Sequence, residues 1–244
     1  MLNRRNARAE SRMSERYRVA FVSDIHSNLE ALTAVLADYD EGPIFCLGDI
    51  VGYGASPNEV VHLLRERGAV CLAGNHDYAA LTGDVSSFNA EAGIAALWTS
   101  RELTGESRSF LSSLPSERRE EILGVKVMMA HGSPDDHLWE YVYESTHLDL
   151  FDYYLRRERV GVIALGHTHV PFVWTGKDGI VFNPGSVGQP RNGDSRSSYA
   201  VMSTDGGAIS VEHRSVAYDM NSAARGIVEA GLPRVYATRL FTGQ

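Results

Sequence analysis

The sequence predicts an α/β fold, a sandwich of two β-sheets with helices on its outer faces. Three observations carry this prediction. Over residues 17–74, short apolar runs alternate with amphipathic stretches in the order β-α-β-α-β, which calls for a parallel sheet. Amphipathic helices then fill the middle of the chain. From residue 170 onward the pattern changes to short strands separated by turns, enough for a second sheet to pack on the first.

The run YRVAFVS (17–23) is short, apolar and β-branched, as a buried strand is. NLEALTAVLADY (28–39) has apolar residues at helical spacing, with Asn28 placed to cap it. PIFCLG (43–48) reads as a second buried strand. SPNEVVHLLRERG (56–68) is a helix with Ser56 at the cap, Pro57 at its first position, Glu59 at N3 and Gly68 past its end. AVCLAG (69–74) is the third strand. FNAEAGIAALWTSREL (88–103) and RSFLSSL (108–114) read as helices. ERREEIL and VKVMMA, within 117–130, read as a hairpin around Gly124. LDLFDYYLRRER (148–159) is a helix and VGVIALG (160–166) a strand. Lys177-Asp178-Gly179 and Asp205-Gly206-Gly207 carry hairpin turn chemistry between the later strands. Two short helices, near 220–230 and 233–241, close the chain.

The 244 residues carry a formal net charge of −8 and no Lys/Arg-rich stripe, so a nucleic-acid backbone is not an expected partner. No apolar run approaches the roughly 18 residues of a membrane span. Cys46 and Cys71 sit in apolar runs without CxxC or CxxH spacing and read as buried free thiols. Low cysteine use without a signal peptide leads to a cytoplasmic expectation. Residues 1–13 read as a disordered, polar, Arg-rich tail. Glu10 and Glu15 argue against a transit peptide, and Met13 is an alternative start. With no linker in view, 14–244 reads as a single domain.

Six polar clusters each follow a predicted strand directly: DIHSN (24–28), GDIVGYG (48–54), GNHD (74–77), HGSP (131–134), GHTH (166–169) and NPGS (183–186). Ligands in open α/β sheets bind outside the carboxyl ends of strands, so these loops can converge. They supply two carboxylates (Asp24, Asp49), four imidazoles (His26, His131, His167, His169) and one amide (Asn75). A mixed N/O set suits Mn, Fe, Zn, Co or Ni, with Mn favoured; a site for Mg or Ca alone would be oxygen-only. Seven side chains are too many for one ion that keeps an open position. They suit two ions sharing a bridging carboxylate, about 3.5–4 Å apart, a spacing that serves in-line displacement. Two divalent ions against two carboxylates leave about +2, enough to attract a phosphate to an acidic protein. Gly48, Gly74, Gly132 and Gly166 beside the ligands let backbone come close.

Singly these pieces are weak, since Asp24 can be a strand-end cap, Asn75 a turn former and His131 a satisfied core histidine. As an ordered set, Asp24-Ile25-His26, Gly48-Asp49, Gly74-Asn75-His76-Asp77, His131-Gly132 and Gly166-His167-Thr168-His169 resemble the calcineurin-like metallophosphoesterases. The fuller strings DIHSNLEAL, GDIVGYG, LGHTHVPF and NPGSVGQPR are similar to a prokaryotic subgroup of phosphodiesterases, some relatives of which act on dinucleoside polyphosphates. The motifs run from residue 24 to about 191. One departure is Ser27-Asn28, where the common pattern has Gly after DxH.

The resemblance implies a four-layer αββα sandwich of two mixed sheets. It implies Asp24, His26 and His169 on a first metal, Asn75, His131 and His167 on a second, and Asp49 bridging. His76 would face the leaving group or a phosphate oxygen, Asp77 would orient it, and Asn75 would also donate to a phosphate oxygen. The implied activity is a phosphodiesterase on a small nucleotide-type substrate. A phosphomonoesterase or phosphoprotein phosphatase is the alternative, and a non-catalytic binding protein comes third. Tyr53 and Arg191 are candidate substrate contacts, weighed against plain packing for Tyr53 and an ordinary surface position for Arg191. Asn183 and Ser186 are weighed between holding loops near the ligands and a turn role. His62 reads as a helix residue, and His137, His147 and His213 carry no motif. HLWEYVYE (137–144) reads as core packing, with a lid or contact surface as the other option.

Overall fold

A computed structural model describes residues 17–40, 42–145, 148–205 and 207–244. The expected tail over 1–13, His147 and Gly206 lie outside the described residues.

The elements, in chain order, are β1 (Arg18–Val22), α1 (Leu29–Asp38), β2 (Ile44–Cys46), α2 (Pro57–Glu66), β3 (Val70–Cys71), α3 (Asn75–Thr82), α4 (Ala90–Glu102) and α5 (Gly105–Ser112). Then come β4 (Glu117–Ile122), β5 (Val125–Ala130), α6 (Leu148–Glu158), β6 (Val162–Ala164), β7 (Phe172–Thr175), β8 (Ile180–Asn183), β9 (Ser197–Asp205), β10 (Ala208–Val216), α7 (Met220–Glu229) and α8 (Arg234–Thr242).

Two mixed five-stranded sheets result, in the orders β10-β9-β1-β2-β3 and β4-β5-β6-β8-β7. In the first, β1, β2 and β3 run parallel and β9 and β10 continue antiparallel. In the second, β5, β6 and β8 run parallel and the edge strands β4 and β7 are antiparallel. The period of two along each strand divides the core into layers. Val19 and Phe21 of β1, Val127 and Met129 of β5, and Phe182 of β8 meet between the sheets. Ala20 and Val22 point the other way, into the layer that holds α1 and α2. Met128, Ile163 and Val181 face outward against Phe151, Tyr154 and Leu155 of α6. The Phe21 ring stacks on Phe45 at 5.3 Å and meets the edge of Phe182 at 5.1 Å, locking one sheet to the other. Truncating it to Ala would cost about 3–5 kcal/mol. The predicted sandwich with outer helices is the architecture found.

Local chemistry explains most element ends. Asn28 accepts a hydrogen bond from the Ala31 amide at 3.1 Å and starts α1 as expected. Ser56 occupies the N-cap of α2 without a side-chain bond, so Pro57 carries that start. α5 begins three residues before the predicted 108 because Thr104 caps it, accepting from the Ser107 amide at 3.2 Å. β3 and β6 are shorter than predicted. α3 was not expected: GNHD is not an open loop, and Asn75, His76 and Asp77 form the first turn of a helix. Cys46 and Cys71 are register partners on β2 and β3 and are buried free thiols. No helix of the described residues is long and apolar enough to cross a membrane.

Candidate metal centre

All five parallel strands that carry candidate ligands end on the same edge of the sandwich. Asp24 and His26 follow β1, Asp49 follows β2, Asn75 opens α3 after β3, His131 follows β5, and His167 and His169 follow β6. Backbone bonds stitch the loops together: Asp24 N–H donates to Gly48 O at 3.1 Å, His26 N–H to Asp49 O at 3.0 Å, and Gly166 N–H to His131 O at 2.9 Å. Asp24, His26, Asp49, His167 and His169 all have φ between 50° and 68°, in the left-handed region. Such residues cost of order 1–3 kcal/mol each and cluster at functional sites.

Six of the seven candidate ligands converge in overlapping groups, and the seventh, Asn75, meets them through its Oδ1, 3.2 Å from His131 Nε2. Asp24, His26 and His169 form one, and Asp49, His131 and His167 another; His26, Asp49 and His76 link them. Each carboxylate has one oxygen tied to backbone and the other turned inward. Asp24 Oδ2 accepts from His167 N–H at 3.1 Å, while Oδ1 lies 3.2 Å from His169 Nε2. Asp49 Oδ1 accepts from His76 N–H at 2.8 Å, while Oδ2 lies 3.2 Å from His131 Nε2 and 3.6 Å from His26 Nε2.

The imidazoles follow the same plan. His26 Nδ1 donates to Val51 O at 3.2 Å, His131 Nδ1 to Leu47 O at 2.9 Å and His169 Nδ1 to Gln189 O at 2.5 Å. His167 is reversed, with Nε2 donating to Trp139 O at 3.1 Å. A neutral imidazole carries one N–H, so the inward nitrogens of His26, His167 and His169 hold lone pairs, whereas His131 Nε2, beside the Asp49 carboxylate, holds a proton that a cation would displace. His26 and His169 then face each other Nε2 to Nε2 at 3.1 Å, and His131 Nε2 lies 3.2 Å from Asn75 Oδ1. Lone pairs crowded on lone pairs in a buried site fit a cation between them, and carbonyl-anchored imidazoles are the usual outer support of metal-binding His. The residues present fit divalent ions.

Burial is the largest influence on every group here. It pushes His26 well below the usual imidazole range, lowers His169, and takes His167 down to about 3 and His76 to about 4. Burial lowers His131 too, but the Asp49 carboxylate beside it wins and raises it to about 9. Burial raises Asp24 and Asp49, and the surrounding imidazoles outweigh it and hold both below the carboxylate range.

The expectation that Asp77 orients the His76 ring needs correction. Asp77 accepts from the backbone amides of Gly74 at 2.9 Å, Val51 at 3.0 Å and Ile50 at 3.3 Å, while His76 Nδ1 is buried without a hydrogen-bond partner among the described residues. Asp77 caps α3 and pins the loop after Asp49. A Cβ on Gly74 would collide with the Asp49 carboxylate, and one on Gly166 with Ser23 Oγ. Gly132 differs from the expectation: its close neighbour is Asp136 of its own loop, not the ligand cluster. Asn183 donates to Gly166 O at 2.6 Å, and Ser186 Oγ to Asp24 O at 2.7 Å, so both hold ligand loops.

Tyr53 is buried against the His26 and His76 rings, with centroids at 4.4 and 4.3 Å. Arg191 is not an ordinary surface residue: half-buried, it donates to the Tyr53 hydroxyl at 3.3 Å. Sequence reasoning missed the walls of the cleft. A cavity of about 350 Å³ opens onto Asn75, His76 and His167, between Phe88, Trp139 and Tyr141. Tyr141 lies flat on His167, with centroids 3.9 Å apart. HLWEYVYE therefore covers the cluster instead of filling a core; only Val142 of its apolar residues is fully buried. Trp139, Tyr141 and Tyr143 recur every second residue, the one local signal of an aromatic face.

Residues 17–207 match the calcineurin-like phosphoesterase superfamily domain. The chain is similar to an uncharacterized protein of Methanocaldococcus jannaschii, 40% identical over 246 residues, covering 93% of this chain and 98% of that protein. It is also similar to the crystal structure of a metallophosphoesterase from Sphaerobacter thermophilus, at 33% identity and a TM-score of 0.80, covering 93% of this chain and 99% of that one. A hypothetical protein from Pyrococcus horikoshii shares the fold, with a TM-score of 0.85 at 21% identity over 93% of this chain and 98% of that one. The chain, with Asp/His groups able to hold a divalent metal at its strand ends, belongs to the calcineurin-like phosphoesterase superfamily.

Proposed function

We propose that the protein is a phosphoesterase that works with two divalent ions, manganese favoured, on small phosphodiesters of nucleotide type, dinucleoside polyphosphates included. Asp24, His26 and His169 would hold one ion, Asn75, His131 and His167 the other, and Asp49 Oδ2 would serve both. The observation that carries this reading is the convergence of carboxylate oxygens and of carbonyl-anchored imidazoles, each turning its free nitrogen inward, at two adjoining points. Ions at these points would lower the pKa of water and neutralise charge on the phosphoryl oxygens.

The chain's own groups do the rest. With burial holding His76 near 4, its imidazole is neutral at neutral pH, so it serves the leaving oxygen as an N–H donor. Asn75 turns Oδ1 toward His131 and leaves its NH2 to donate to a phosphoryl oxygen. Phe88, Trp139 and Tyr141 narrow the approach and limit water. Two free buried thiols favour a reducing, cytoplasmic setting.

The test is hydrolysis of bis-p-nitrophenyl phosphate and p-nitrophenyl phosphate after chelation and add-back of Mn, Ni, Co or Zn singly. Activity restored by metal and greater on the diester supports the reading. Greater activity on the monoester moves the assignment to a phosphomonoesterase. No activity with any metal in folded protein sinks it.

A further inference from the structure

Above the candidate ligands, three side chains join into an arch. Tyr53 rises from the loop after β2, and its ring rests on His26 and His76. Tyr141 comes from the loop after β5, and its ring lies on His167 at an interplanar angle of 21°. The two tyrosines thus stand over opposite halves of the cluster. Arg191 connects them: its guanidinium donates to the Tyr53 hydroxyl at 3.3 Å, and its charge acts on Tyr141. Its backbone N–H donates to His169 O at 3.2 Å, which fixes its root beside the cluster.

The arch has donors to spare. Arg191 is half-buried, yet no carboxylate of the described residues forms an ion pair with it; Tyr53, Tyr141 and, across the cluster, Asp24 favour its charged form against burial, and His76 and His169 also lie within reach of its charge. A guanidinium offers five N–H groups, and a tyrosine hydroxyl that accepts from it still has its own hydrogen to give. A partly desolvated cation with no ion pair of its own keeps N–H groups that an arriving anion can satisfy. Planar N–H forks and hydroxyls match tetrahedral oxyanions. The Tyr53 ring also rests on Tyr236 of α8 at 4.4 Å, so the arch is braced from behind before any ligand binds.

We propose that Arg191, Tyr53 and Tyr141 form an oxyanion subsite that spans both halves of the cluster and grips the phosphoryl group of the substrate and the phosphate released. This rests on the phosphoesterase reading above and adds the residues that hold the anion from the side facing away from the ligands. Tyr141 sits on a covering loop and is 49% exposed, so that half of the arch forms part of the entrance.

The test is calorimetric titration of inorganic phosphate into manganese-loaded protein, for wild type, Arg191→Gln and Tyr141→Phe, with metal content measured alongside. Losing a charge-assisted contact should weaken phosphate at least about tenfold in Arg191→Gln, and losing one hydroxyl should weaken it about fivefold in Tyr141→Phe. Metal content should not change, which separates anion binding from damage to the ligand cluster. If Arg191→Gln folds poorly, Tyr141→Phe decides. Unchanged phosphate affinity in Tyr141→Phe and any folded Arg191→Gln, with wild-type hydrolysis intact, overturns the arch and leaves the phosphoesterase reading standing. Neither phosphate binding nor hydrolysis by loaded wild type overturns both.

Discussion

His26 and His169 meet nitrogen to nitrogen, Nε2 to Nε2 at 3.1 Å, with both outer nitrogens already donating to backbone carbonyls. No proton is left to place between the two rings while both are neutral, and Asp24 Oδ1 adds a third acceptor 3.2 Å from His169. A bound cation relieves this repulsion, so metal binding should stabilise the fold. At a free ion concentration a hundredfold above Kd the gain is about 2.7 kcal/mol, or roughly 5–10 °C in Tm for a chain of this size. Thermal melts of chelated and manganese-loaded protein measure it; equal melting temperatures count against the centre. Asp49→Asn should lose metal from both positions, because Asp49 Oδ2 lies within 3.6 Å of imidazoles from both groups.

His76 has a different place. Its backbone N–H holds Asp49 Oδ1, a bond that His76→Ala keeps, and its ring borders the cleft beside Phe88. The variant should therefore keep fold and metal while kcat falls by about 10²–10⁴. Turnover within a few-fold of wild type would remove the ring from the reaction.

Which parts of this centre were readable in the sequence follows from distance along the chain. Asp24, His26 and Asp49 each sit two to four residues past an apolar strand, and that adjacency is a local pattern. The opening β-α-β-α-β order is local too. Tyr141 on His167, Trp139 O on His167 Nε2 and Tyr236 behind Tyr53 join residues 26, 28 and 183 positions apart, and no spacing rule announces them. α3 escaped notice because its start has no side chain at the cap: Gly74 occupies that place, and the cap comes from Asp77 within the helix. Arg191 looked like a surface cation because its partners, Tyr53 and Tyr141, lie on two other loops.

Asp77 makes its case through stability. Three backbone amides donate to its two carboxylate oxygens. In Asp77→Asn, either orientation of the amide turns an NH2 toward at least one of those N–H groups. Leaving a buried donor unmet should cost about 1–3 kcal/mol. Denaturant melts of the chelated variant measure this directly. A stability equal to wild type would mean that the loop after Asp49 does not depend on that cap.

pH supplies a last handle, through His131. Burial alone would lower its pKa, but the Asp49 carboxylate 3.2 Å away lifts it to about 9, above the model-peptide value of 6.5. A raised folded pKa means that the proton stabilises the chelated fold fully below about 6.5, and that this contribution fades as pH climbs through about 9. A cation at that position needs the His131 lone pair and must displace the proton. Metal affinity should therefore strengthen by up to about tenfold per pH unit between pH 6.5 and 9, with uptake near pH 7.5 releasing about one proton per chain from this group. Calorimetry of manganese binding in buffers of different ionisation enthalpy counts that proton. Among the other inward-facing imidazoles, burial leaves His26, His167 and His169 neutral at the same pH, so His131→Asn should abolish most of the release. Release unchanged in His131→Asn would assign the proton elsewhere and undo the argument that Asp49 holds a proton on His131.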